Sequence, residues 1–215
     1  MYTFVLFLHL LGVATIFIAM AFEFSCLIRA VSAPDVSSLR IALLNAPVIE
    51  RLIPIAIVML VGPGLYLLSQ GGESGQEFSW GTGWIDVALG VVGVLLVIGP
   101  AINGARTKAL HAAAEQARGE TIDARIDAMR HDPLLHHAIW FSAFEAITLV
   151  FLMSNKPGLG QAVTVAVVAA VVSIVPATLS RRTKTRVLVP MQGASPATEA
   201  WTGSASIGGE VPQEL

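Results

Sequence analysis

"FLHLLGVATIFIAMAFEF", residues Phe7–Phe24, is a run of apolar residues with a histidine near one end and a glutamate near the other. A helix needs about 20 apolar residues to cross a hydrocarbon core of about 30 Å. The run and its flanks are long enough, so the stretch reads as a membrane span. The whole chain agrees. Of 215 residues, 54% are hydrophobic and 13% charged, about half the charged share of soluble domains. Mean hydropathy is +0.71. Five stretches qualify, at about 3–28, 52–69, 84–103, 135–154 and 160–179. The last is Val/Ala-rich, but its length favours helix over strand. The expected fold is all-α, a polytopic bundle of five transmembrane helices. No Lys or Arg precedes the first span, and its apolar run exceeds a signal-peptide core, so it reads as a retained anchor.

Lys and Arg give the orientation. Arg29, Arg40 and Arg51 flank the first connection. Arg106, Lys108, Arg118, Arg125 and Arg130 lie in the third, and Arg181, Arg182, Lys184 and Arg186 follow the last span. Only Lys156 falls in the alternate connections. The positive-inside rule then predicts an outside N-terminus and a cytoplasmic C-terminus. Four or six spans would break the alternation. Trp80, Trp84 and Tyr66 fall at the outer interface, where an aromatic belt is expected. The expected location is a bacterial plasma membrane, with the lipid bilayer as the main partner. A homo-oligomer or a membrane partner subunit is compatible with the many small residues, and no nucleic-acid partner is expected.

The chain divides into a membrane domain over 1–186 and a Gly/Ser/Pro/Thr-rich tail, 187–215, expected to be disordered. The loop over 70–83 is Gly-rich and acidic and reads as flexible. The connection 105–132 is Ala-rich with mixed charge. Ile122, Ile126 and Met129 form a short apolar stripe, and Gly119 divides the segment into two short helices or one bent one. Asp132-Pro133 reads as a cap and first residue of the fourth span. The single Cys26 excludes an internal disulfide, and no Cys/His cluster has zinc spacing.

At 100° per residue, His9, Gly12, Val13, Ile16, Met20, Glu23 and Leu27 share one face of the first span. His9 and Glu23 point the same way, about 21 Å apart along the axis. Ionisable groups in lipid turn inward, so this is the packed face. The structural alternative is a single hydrogen bond from His9 and a Glu23 that snorkels to the interface. Glu145 sits near the middle of the fourth span, with Ser142 and Thr148 on its face. Its functional readings are a proton relay or a ligand anchor. Its structural reading is an interhelical hydrogen bond. Partners of matching depth are Glu23, sharing a proton, or a tilted Arg29 or Arg51. His136 and His137 point about 100° apart, poorly placed for one metal, and read as solvated interface residues. Glu50 and Arg51 read as an interfacial ion pair, and Asp86 as a residue favouring a helix N-terminus. Gly-Pro pairs at 62–63 and 99–100 should kink the second and third spans.

The N-terminal pattern "FLHLLGVATIFIAMAFEFSCLIRA" resembles small bacterial membrane proteins whose first span opens on Leu-His-Leu and a glycine. These are the family catalogued as domain of unknown function number 2269. More distantly it is similar to copper-resistance D-type and HemJ-type (protoporphyrinogen oxidase) membrane proteins. The resemblance covers about 25 residues and the small multi-span architecture. The HemJ-type likeness implies haem at the first-span histidine, which maps onto His9. The lysine expected in the third span is missing here, so the oxidase activity does not carry over. Met153 is the soft side chain at a height similar to His9.

Three readings follow. The first is a non-catalytic or accessory membrane subunit, from small size and the lack of catalytic motifs. The second is a haem- or quinone-associated redox protein using His9. The third is a small proton-linked transporter using Glu145 and Glu23.

Overall fold

The computed structural model describes residues 1–71 and 81–187, with side chains through 179. Trp80, most of the 70–83 loop and the tail beyond 187 lie outside the described residues. The described chain is helical: α1 (Tyr2–Ser32), α2 (Val36–Leu43), α3 (Ala46–Ser69), α4 (Gly83–Ile98), a π-helical segment (Gly99–Gly104), α5 (Ala105–Gln116), α6 (Ala124–Arg130), α7 (Pro133–Asn155) and α8 (Leu159–Val187). Five helices are long and apolar enough to cross a membrane. Much of their surface is exposed apolar side chain, as with Phe4, Ile55, Val97, Ile147 and Val171. In water such a surface would associate; in hydrocarbon it is the expected exterior.

The helices form two groups. One is α1 packed along α3. The other is α4, α7 and α8. Gly12 explains the closeness of the first pair. A Cβ there would lie 2.6 Å from the main-chain nitrogen of Leu60, so only hydrogen fits between the backbones. Gly83 plays the same part between α4 and α8, where a Cβ would meet Leu159 at 2.6 Å. The groups join near one end. There the Phe24 and Trp140 rings meet edge to face at 4.5 Å, and Leu27 packs with Leu135 and Ile139.

That end carries the arginines and a compact cap of α2, α5 and α6. Leu39, Leu43, Leu110, Ala114 and Ile126 bury together against Ala30 and Ala33 of α1. Asp35 and Asp123 cap α2 and α6 through the amides of Ser38 and Ile126, each at 2.7 Å. Two arginines hold helix C-termini contributed by distant segments. Arg40 donates to the carbonyls of Ala114 (2.9 Å) and Ala117 (2.7 Å) at the end of α5. Arg130 donates to Ala33 O (2.6 Å) at the end of α1 and pairs with Asp127. Each cation satisfies carbonyls that have no partner inside their own helix. Arg106 pairs with Asp132, and Asp132 also accepts from Leu134 N at 2.9 Å ahead of Pro133.

Several expectations need correction. α2 is a helix within what reads as a connection. The third span passes through a π-helical segment, Gly99–Gly104, into α5. Pro54, Pro63 and Pro176 lie inside helices that continue through them. Glu50 and Arg51 do not pair with each other among the described residues. His136 is buried rather than solvated, with Nε2 at 3.2 Å from Arg130 O.

Candidate functional site

Away from the basic end the two helix groups enclose a crevice of about 460 Å³, within the range of small-molecule sites. Its walls are almost wholly apolar, from Leu6, Phe17, Leu60, Trp84 and Leu149 among others. Polar groups in the wall are Tyr2 and His9 on α1, the Trp84 indole on α4, and Ser154 and Lys156 at the end of α7. Met153 lines the same space.

His9 is fixed by its neighbours. Its Nδ1 lies 2.8 Å from Leu60 O. A carbonyl can only accept, so Nδ1 carries a proton, and in the neutral ring that leaves Nε2 as the lone-pair nitrogen. Gly64 allows the ring to lie against α3, since a Cβ there would come within 3.0 Å of Nδ1 and Cε1. Gly12, one turn along, sets the α1–α3 spacing on which this hydrogen bond depends. The arrangement matches one used by ligating histidines, in which one nitrogen is anchored by a carbonyl and the other coordinates.

Lys156 ends α7 in the left-handed region, φ 49° and ψ 52°, where glycine or asparagine is usual. This backbone brings a cation to the end of the crevice, beside Pro157.

A second polar group lies within the α4–α7–α8 bundle. Glu145 is 2% exposed and its Oε2 has no hydrogen-bond partner. Ser142, one turn away on α7, is buried and accepts from Asn103 Nδ2 at 3.4 Å. Asn103 lies in the π-helical segment, is 4% exposed, and leaves its own Oδ1 without a partner. Thr148 and Ser173 are buried as well. Sequence reasoning passed over Asn103. Its signal was a lone amide three residues after Gly-Pro, inside an otherwise apolar span.

Glu23 is buried on α1 but makes no hydrogen bond or ion pair among the described residues, with Glu145 or any other side chain. The proposed proton sharing between Glu23 and Glu145 is therefore not formed. Neither Arg29 nor Arg51 pairs with Glu145. The structure thus brings His9 and Met153 to one crevice and Ser142 and Glu145 to another cluster, with Glu23 paired to neither. Comparison of the chain with family models, with curated proteins and with solved structures finds no match.

Proposed function

We propose that this protein spans a bacterial plasma membrane five times, with its N-terminus outside and C-terminus cytoplasmic. In this reading it is a non-catalytic accessory subunit that holds haem in the crevice through His9. Gathering of Arg40, Arg106 and Arg130 in one cap layer supports the orientation by the positive-inside rule. The observation that carries the ligand reading is the His9–Leu60 hydrogen bond beside the crevice.

The residues present fit a porphyrin. Nε2 offers a lone pair of the kind iron takes, Met153 supplies a thioether to the same space, and the apolar walls suit the macrocycle. Lys156 provides a cation for a carboxylate at the edge. Bound haem would supply one-electron transfer, while the chain orients the imidazole, fixes its tautomer and excludes water.

The test is absorption spectroscopy of the purified protein, with titration of added haemin. A Soret band that His9→Ala abolishes, and that Met153→Leu shifts, is the expected result. A wild-type protein that neither retains haem nor takes it up stoichiometrically rejects the proposal.

A further inference from the structure

We infer that Glu145, Asn103 and Ser142 form a binding site for a small monovalent cation of the sodium class, separate from the crevice. Buried polar atoms in native proteins are almost always satisfied, and each exception calls for an explanation. Among the described residues two exceptions occur, and both are oxygen acceptors: Glu145 Oε2 and Asn103 Oδ1. Ser142 Oγ stands next to both in the fold. It is bonded to Asn103 and lies one turn from Glu145 on the same face of α7. Thr148 adds another buried hydroxyl a turn further along. The set is all oxygen, which suits a hard cation and not zinc or copper.

Charge decides the valence. The cluster holds a single carboxylate. One monovalent ion neutralises it, whereas a divalent ion would leave a net positive charge in a low-dielectric interior, which is unfavourable. A water molecule would supply donors but leave the carboxylate charge uncompensated. A proton on Glu145 would supply one donor along one direction, whereas a cation draws on all the oxygens together.

The backbone is suited to the same task. The π-helical segment Gly99–Gly104 carries Asn103 and packs against α7. Pro100 offers no N–H to the carbonyl four residues before it. π-Segments are rare and recur at functional sites. Main-chain irregularity inside a membrane bundle is also where transporters bind sodium or protons. Glu145 lies near the middle of α7, far from either helix end.

The experiment uses the full chain in detergent. Thermal unfolding is followed in sodium, potassium or choline chloride at equal ionic strength, and binding of radiolabelled sodium is measured directly. Sodium should raise the unfolding midpoint by about 3–5 °C over choline, with saturable binding of one ion per chain. Glu145→Gln and Asn103→Leu should remove both effects, while Glu23→Gln should keep them. Should the two cluster variants fail to fold, Ser142→Ala, a smaller change, should weaken sodium binding at least tenfold. Equal midpoints in all three salts, no saturable sodium binding by the wild type, or undiminished binding by Glu145→Gln would overturn the inference. None of these results depends on haem, so failure here and failure of the His9 reading are distinguishable.

Discussion

Gly12→Ala tests how the α1–α3 contact controls His9. The added Cβ would lie 2.6 Å from Leu60 N, 2.7 Å from Met59 C and 2.9 Å from Leu60 Cα. All three are main-chain atoms and cannot rotate away. Comfortable contact requires about 3.5 Å, so the helices must part locally by about 1 Å. The His9–Leu60 hydrogen bond starts at 2.8 Å and uses the same residue of α3. An extra ~1 Å stretches it beyond hydrogen-bonding range. Overpacking costs about 1–3 kcal/mol and the lost hydrogen bond about 0.5–1.5 kcal/mol, giving about 1.5–4.5 kcal/mol together. Equilibrium unfolding in mixed micelles measures the loss, and nitrogen NMR of the imidazole reports whether Nδ1 still holds the proton. Gly90→Ala is the control. No atom lies within 4 Å of its Cβ position, so helix propensity should make it neutral or more stable by up to about 1 kcal/mol. If Gly12→Ala matches wild type in stability and keeps the His9 tautomer, the close-contact reasoning is wrong.

Other outcomes follow from the basic end and the crevice. Arg130→Ala should cost about 2 kcal/mol in the same unfolding assay, because charged hydrogen bonds to Ala33 O and Asp127 are lost. Arg130→Lys should restore little, since an ammonium cannot reproduce the guanidinium fork. Lys156→Gly should stabilise the chain by about 1 kcal/mol by relieving the left-handed backbone, while weakening retention of an anionic ligand in the crevice. The Ser38 amide first, then the Ser38 hydroxyl and the Ser37 amide, hold the Asp35 carboxyl below the ordinary carboxylate range. With the folded value depressed, the cap's contribution is complete above the unfolded value and fades as pH falls through the folded one. The protection factor of the Ser38 amide, which corrects for the intrinsic pH dependence of exchange, should therefore fall in acid, and Asp35→Ala should show low protection at every pH.

The spans were legible because hydrocarbon imposes a length and a composition on a helix, and both are local properties of the chain. Burial of Glu23 and Glu145 and the half-burial of His9 against α3 were legible for the same reason. α2 was missed because eight residues holding two serines and an arginine carry little periodic signal. Its helix depends on the Asp35 cap and on packing against α5. The roles of Arg40 and Arg130 were hidden by distance. Each reaches carbonyls more than seventy residues away along the chain, and as charges they counted only towards topology. Asn103 escaped because proline suggests a kink, whereas the chain absorbs Pro100 by widening its turn. None of the depth-matched candidates Glu23, Arg29 and Arg51 pairs with Glu145 among the described residues, because matching depth says nothing about which way two helices face.

The crevice walls include Leu10, Leu65 and Val150, each at least 40% exposed on the lipid-facing surface. A gap of this kind is reached sideways, from within the bilayer. What governs its filling is then the mole fraction of a compound among the lipids, not its molarity in the surrounding water. Two compounds with identical contacts to His9 would differ in apparent potency by the ratio of their partition coefficients, and diluting the same vesicles with extra lipid would empty the gap at constant aqueous volume.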